Sequence, residues 1–306
     1  WKRKKHYMWR EAAVLAGAAG CACLALSEYE KKHFSVEAAA IVSDKIYRDR
    51  TIVFLSDLHN NEFGCTNQKL VQAIHGLKPD AVLCGGDMMV SKKGSRDIQV
   101  PLRLFEQLAA RYPVFYGNGN HENRMTWRRD IYGNLYEEYK GALQKMGVTY
   151  LEDDTVPLGE DILITGVDLD QDFYRKALYQ KLPDMERGYL RKKLGPAGEP
   201  GDRFRILLAH SPLYFEAYAD WGADLTLSGH FHGGTIRIPG LGGVMTPQYQ
   251  FFLPWCAGDF ERDGKRMIVS RGLGTHSINI RLNNRPQLAV IYLKKKQGMF
   301  EKADNL

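Results

Sequence analysis

Five short apolar runs in this chain each end in a cluster of aspartate, asparagine, histidine or glycine, and that repeated junction limits the fold more than any other feature. Ile52-Val53-Phe54-Leu55 runs into Ser56-Asp57-Leu58-His59, and Ala81-Val82-Leu83-Cys84 into Gly85-Gly86-Asp87. Val114-Phe115-Tyr116 is followed by Gly117-Asn118-Gly119-Asn120-His121-Glu122. Residues 206–209 lead to His210, and residues 225–228 to Gly229-His230-Phe231-His232-Gly233-Gly234. Apolar runs of this length bounded by turn formers read as buried strands. Ligand sites of open α/β sheets gather outside the carboxyl ends of the strands, so polar strand ends repeated along one chain point to one shared site.

The intervening sequence supports that reading. Helices are expected at residues 68–77, 100–110 (stopped before Pro113) and 135–146, with a strand at 149–151, which gives the rhythm of βαβ units. Further strands are expected at 162–164, 206–208, 225–227, 266–270 and 288–293, with fewer helices between them. Residues 35–50 read as a connector or an initial strand, which places a catalytic core at about 51–293 within a domain of 35–306. Residues 170–201, with mixed charge, tyrosines and Gly195-Pro196-Ala197-Gly198-Glu199-Pro200-Gly201, look like an excursion from that core.

At the front, Lys2-Arg3-Lys4-Lys5 and Arg10 precede an apolar run at 12–26, after which Glu28, Glu30, Lys31 and Lys32 restore polarity. A basic flank before an apolar stretch is the pattern of a signal or anchor, and residues 1–34 are read as that segment with its linker. The run is shorter than the ~20 residues of a comfortable span, so cleavage, retention and a short soluble helix all remain open. The basic front is expected to stay cytoplasmic, leaving the domain outside. Ala18-Ala19-Gly20-Cys21 bears only a loose likeness to a lipoprotein cleavage site, and a chain opening on Trp1 is expected to lack its natural start. The five cysteines are scattered and fix no redox compartment. A net charge of +6 suits an anionic substrate, a membrane surface or nucleic acid without choosing among them.

Taken singly, the polar clusters have ordinary explanations. Asp57 can cap a turn beside a surface His59, and Asp87 can belong to a plain aspartate turn. Two imidazoles at the glycine-rich turn of His230 and His232 are harder to assign to packing. Together the clusters offer about seven oxygen and nitrogen donors and no thiolate, which suits manganese, iron, zinc or cobalt. One closed structural zinc needs only four ligands, so two divalent ions sharing Asp87 divide the set more sensibly.

The ordered blocks Asp57-x-His59, Gly86-Asp87, Gly119-Asn120-His121-Glu122, His210 and Gly229-His230-x-His232 resemble the calcineurin-like metallophosphoesterase superfamily from about residue 51 to 293. Residues 229–240 and Arg281-Leu282-Asn283-Asn284-Arg285-Pro286 are similar to its bacterial YkuE/YaeI-type branch, which commonly carries an amino-terminal membrane or export segment. The resemblance implies an α/β fold, a four-layer αββα sandwich of two mixed sheets flanked by helices. It implies that Asp57, His59 and His232 hold one metal, Asn120, His210 and His230 a second, and that Asp87 bridges them. His121 is implied as the catalytic histidine outside the ligand set. Two cations roughly 3.5–4 Å apart lower the pKa of a bridging water and clamp the phosphoryl oxygens for in-line attack. His121 would then stabilise phosphoryl charge or protonate the leaving oxygen. Manganese is the metal expected to serve best in vitro.

The expected reaction is hydrolysis of a phosphodiester, phosphomonoester or pyrophosphate. Gly86-Asp87-Met88-Met89-Val90-Ser91 lacks the Asp-Arg-Gly continuation of the related protein phosphatases, which counts against a phosphoprotein substrate. Nucleases and nucleotide phosphodiesterases share the ligands, and Arg124, Trp127, Arg128 and Arg129 offer a small basic and aromatic track for nucleic acid. The aromatic stretch at 248–255 reads either as ordinary core or as a lipid contact. With the amino-terminal segment it favours a membrane or cell-envelope phosphoester, possibly lipid-linked, since branch members that hydrolyse UDP-diacylglucosamine make a pyrophosphate bond a candidate. The expected location is a bacterial cell membrane with the domain extracytoplasmic, or a secreted or wall-associated form after cleavage. The non-enzyme alternative is a metal-binding scaffold without turnover, and no protein partner follows from the sequence.

Overall fold

The computed structural model describes residues 2–175, 182–198, 203–275 and 278–297. The chain begins with α1 (Lys2–Lys31), β1 (Ser35–Ser43) and β2 (Arg50–Leu55). Next come α2 (Gln68–Leu77), β3 (Ala81–Cys84), α3 (Gln99–Ala109) and β4 (Val114–Gly117), then α4 (Asn120–Trp127), α5 (Arg129–Tyr132), α6 (Leu135–Lys145) and β5 (Thr149–Leu151). The second half holds β6 (Asp154–Leu158), β7 (Ile162–Gly166), α7 (Tyr189–Leu194), β8 (Phe204–Leu208), α8 (Phe215–Trp221) and β9 (Leu225–Ser228). A small ribbon of β10 (Arg237–Ile238) and β11 (Gly242–Gly243) precedes β12 (Gly258–Arg262), β13 (Lys265–Val269) and β14 (Gln287–Lys295).

Two six-stranded sheets result, ordered β1-β14-β2-β3-β4-β5 and β12-β13-β9-β8-β7-β6. In the first, β2 to β5 run parallel and β14 pairs antiparallel with β2. In the second, parallel β7, β8, β9 and β13 are closed by antiparallel β6 and β12. Side-chain alternation assigns the layers. Ile52 and Phe54 of β2, Leu83 of β3 and Ile206 and Leu208 of β8 meet between the sheets, whereas Val53, Leu55 and Val82 turn outward onto helices. Those helices present apolar stripes, as with Leu70, Val71 and Ile74 of α2 and Leu104, Phe105 and Leu108 of α3. Phe173, Leu190 and Tyr218 cover the far face of the second sheet, so part of the expected excursion is packed core. The four-layer αββα arrangement of two mixed sheets is as expected.

Parallel strands place their carboxyl ends on one edge, and the two sheets bring those edges together. The opposite edge is tied by a buried bidentate pair, Arg50 Nη1 to Asp161 Oδ2 at 2.8 Å and Nη2 to Oδ1 at 2.6 Å.

Of the two readings of residues 35–50, the initial strand is the one formed, as an edge strand over 35–43 that pairs with β14. Residues 120–127, where no helix was expected, form α4, and the Glu122 carboxylate accepts the Gly119 N–H at 3.0 Å and caps the helix start. α1 is longer than the apolar run, and its stretch Trp9–Lys31 is long and apolar enough to cross a membrane by length and composition. Among the described residues, α1 docks on the domain near its end, with Ser27 Oγ accepting the Arg281 N–H and Glu30 Oε2 the Asn284 N–H, both at 3.0 Å.

Candidate metal centre

Three of the five clusters leave their strands through a sharp reversal. Asp57, His59, Asp87, His230 and His232 have φ between 47° and 69°, the left-handed region. Such a conformation costs a non-glycine residue about 1–2 kcal/mol and persists only where the surroundings enforce it. Here the backbone is stitched across strands, with Asp57 N–H donating to Gly86 O at 3.0 Å and His59 N–H to Asp87 O at 3.1 Å. Two glycines make the approach possible. A Cβ on Gly86, at φ 86°, would stand 2.0 Å from the Gly119 nitrogen, and one on Gly229 would stand 2.0 Å from Ser56 Oγ.

The seven sequence-expected donors are all buried, the six aspartates and histidines among them form two adjoining groups, and a third group joins His59 and Asp87 to His121. Asp57, His59 and His232 make one, with His232 Nε2 3.1 Å from His59 Nε2 and 3.4 Å from Asp57 Oδ1. Asp87, His210 and His230 make the other, with His210 Nε2 3.2 Å from Asp87 Oδ2. Asn120 is the first residue of α4, and its Oδ1 is buried without a hydrogen-bond partner. His121 gives its backbone N–H to Asp87 Oδ1 at 2.7 Å, and its ring stands edge-on to His59 at 4.9 Å.

Neighbouring carbonyls set the tautomers. His210 Nδ1 lies 2.7 Å from Gly85 O and His232 Nδ1 lies 3.2 Å from Gly274 O. A carbonyl can only accept, so both rings carry hydrogen on Nδ1 and, when neutral, turn an Nε2 lone pair inward. Charge follows the same logic. Burial pushes the Asp57 carboxyl up to about 6, opposed by His210 and reinforced by Asp87. Burial works against a charged His210, yet Asp87 and Asp57 outweigh it and raise the ring to about 9. Buried carboxylates here need positive charge beside them, and divalent cations fit a donor set of inward nitrogens, carboxylate oxygens and one unpartnered amide oxygen.

Supporting residues come from further away. Glu122 accepts the N–H groups of Asp87 (2.8 Å) and Met88 (3.1 Å) and the Tyr116 hydroxyl (2.6 Å), clamping the end of β3 to α4. Ser56 Oγ donates to Asp57 Oδ2 at 2.6 Å, and Asn284 Nδ2 donates to the His232 carbonyl at 2.7 Å. Tyr174 stacks edge-on to His230 at 5.2 Å, and Asp168 accepts from Asn123 Nδ2 at 3.0 Å. Asn284 lies in the late Arg-Leu-Asn-Asn-Arg-Pro motif, a usable signal, whereas Tyr174 and Asp168 carry none in the sequence.

The aromatic stretch at 248–255 divides. Gln248 is buried and Trp255 packs on Phe215 and Phe260, while Phe251 and Phe252 are exposed. In the basic track, Arg128 pairs with Asp130 and Arg129 with Glu137.

The profile of the calcineurin-like phosphoesterase family matches residues 50–234, more than half of the chain. The uncharacterized metallophosphoesterase YkuE of Bacillus subtilis is 27% identical over 248 residues, covering 79% of this chain and 78% of its own length. The phosphodiesterase YaeI of Escherichia coli is 27% identical over 251 residues, covering 79% of this chain and 81% of its own.

Proposed function

This chain belongs to the calcineurin-like phosphoesterase family and is a hydrolase, and we propose that it works as a binuclear phosphoesterase on a membrane or cell-envelope substrate. The observation that carries the reading is the meeting, from two sheets, of two adjoining groups of buried donors. Asp57, His59 and His232 would hold one ion, and Asn120, His210 and His230 the other. Asp87 reaches both groups through its neighbours, since Oδ2 lies 3.8 Å from His59 Nε2 and 3.2 Å from His210 Nε2. Two divalent cations, manganese foremost in assays, supply Lewis-acid charge for attack on phosphorus.

The chain's own groups do the rest. Gly85 O and Gly274 O hold His210 and His232 with Nε2 inward. Glu122 fixes Asp87 by its backbone, and the buried walls exclude bulk water, which strengthens every electrostatic contact inside. His121 acts as the proton donor or charge stabiliser at the phosphoryl group, because Nδ1 is already engaged by Ser91.

The exposed apolar length of α1 supports a bacterial membrane setting, with the domain outside the cytoplasm. A nucleic-acid substrate has less support, because carboxylates already neutralise Arg128 and Arg129. The name of YaeI favours trying a diester first. Assay of the manganese-loaded chain on bis(p-nitrophenyl) phosphate, p-nitrophenyl phosphate and a nucleotide-linked pyrophosphate tests the reading. Metal-dependent turnover of at least one is expected. A chain that binds two metals and turns over none of them is a scaffold, and the reading fails.

A further inference from the structure

Five bulky apolar side chains protrude from one lobe beside the metal centre: Leu241 is 67% exposed, Phe251 62%, Phe252 54%, Ile238 40% and Ile278 39%. They come from separate stretches that hydrogen bonds join. The ribbon of β10 and β11 carries Ile238 and Leu241 near its turn, and Phe251 bridges to Met245 while the Phe252 N–H donates to Val244 O. Phe252 sits at φ 54°, a left-handed backbone that turns a large aromatic ring outward. Soluble domains seldom expose several such residues close together without a partner.

The same lobe is fastened to the end of α1. Arg237 N–H donates to Leu282 O at 2.9 Å, and two residues further on Asn284 N–H donates to Glu30 of α1. From there α1 presents Leu24, Leu15, Val14 and Trp9 to the exterior. Where it meets the domain, Lys32 and Arg285 are exposed, with the Arg285 guanidinium 5.5 Å over the Tyr29 ring. An apolar helix with cations at its domain end is suited to hydrocarbon and to anionic headgroups at the boundary. A narrow cavity of about 20 Å³ beside His232, walled by Met245, Tyr249, Ile280 and Arg281, has the protruding Ile278 in its lining, so the crest borders the metal centre.

We propose that the crest of Ile238, Leu241, Phe251, Phe252 and Ile278 lies against the lipid bilayer that α1 enters, and that an amphiphilic phosphoester reaches the metal centre from that surface. The second half rests on the phosphoesterase reading, and the first half does not. The occupant is lipid because the lobe that carries the crest is hydrogen-bonded, through Leu282 and Asn284, to the end of an apolar helix with exposed cations at its base.

The test uses the full chain in vesicles of equimolar phosphatidylethanolamine and phosphatidylglycerol. With Cys21, Cys23 and Cys65 replaced by serine, Leu241→Cys carries an environment-sensitive fluorophore, and Tyr47→Cys, which lies beside Asp161 on the opposite edge, is the control. The label at 241 is expected to be quenched by brominated lipid, and the label at 47 only by aqueous iodide. Equal aqueous quenching at both positions overturns the contact. In parallel, Phe251→Asp with Phe252→Asp is expected to lower turnover of a vesicle-borne diacylglycerol p-nitrophenyl phosphodiester by roughly tenfold or more, leaving bis(p-nitrophenyl) phosphate turnover unchanged. Equal effects on the two substrates overturn the uptake route. If the unmutated chain turns over neither, the phosphoesterase reading and the uptake route fall together, while the labels still decide the crest.

Discussion

The backbone N–H of Ser91 donates to Nδ1 of His121 at 2.8 Å, and the Ser91 hydroxyl stands 2.9 Å from the same nitrogen. An amide N–H cannot accept, so a neutral His121 carries its hydrogen on Nε2.

That bond predicts how His121 behaves on mutation. His121→Ala is expected to lower kcat by about 10²–10⁴ while the protein keeps its metals, read by steady-state kinetics and elemental analysis of the same samples. Ser91→Ala retains the N–H donor and is expected to lose less than about tenfold. Metal lost in step with activity in His121→Ala would make the histidine a ligand and end its assignment as proton donor.

Metal content should respond unequally to the ligands. His230→Ala disturbs one donor group and is expected to halve bound manganese, whereas Asp87→Ala, between the groups, should remove most of it. Chelation of the unmutated chain is expected to lower its apparent stability by about 3–4 kcal/mol per ion at metal concentrations of 100–1,000 times Kd. Calorimetry with and without chelator measures this. Equal metal contents in the two variants would argue against a bridging Asp87.

Legibility in the sequence followed burial and distance. β2, β3, β8 and β9 are buried on both faces, so each is a plain apolar run ending at its ligand cluster. β6 and β12 are edge strands with one face in water, and their polar residues carry no run to detect. The ligand types were readable because every one follows a strand within a few residues. Ser91 and Tyr174 were not, because they reach the centre through tertiary packing from 30 or more residues away, as with Ser91 and His121, and Asn284 stood in a legible motif whose bond to His232 needs the fold to be seen. Glu122 stood in a legible motif, but its task of clamping Asp87 and Met88 needs the fold to be seen.

The Arg50–Asp161 pair gives a stability prediction away from the chemistry. Both side chains are buried, and Asp161 Oδ2 also accepts the Tyr47 N–H at 2.7 Å. Removing one partner strands the other charge, so Asp161→Ala is expected to cost about 3–5 kcal/mol in denaturant unfolding. At a temperature where the variant stays folded, its kcat should match that of the unmutated chain, since the pair lies at the edge opposite the metal centre. A cost under about 1 kcal/mol would mean the pair is solvated in practice.

Asp168 predicts a pH dependence of stability. Burial drives its carboxyl up to about 6; the Asn123 hydrogen bond opposes that rise, and Asp153 and Glu152 add to it. An unfolded aspartate ionises near 3.9. Below about pH 4 both states hold the proton and the group is neutral to stability. Between about pH 4 and 6 the unfolded chain sheds its proton first, so rising pH favours unfolding, and above about 6 the penalty is complete at up to about 3 kcal/mol. Asp168→Asn removes the charge and is expected to stabilise the fold by about 1–3 kcal/mol near pH 8, with the gain shrinking toward zero as pH falls through that window. Thermal unfolding of both proteins across the range measures it. A gain that stays constant with pH would show that Asp168 ionises in the folded state as readily as in the unfolded one.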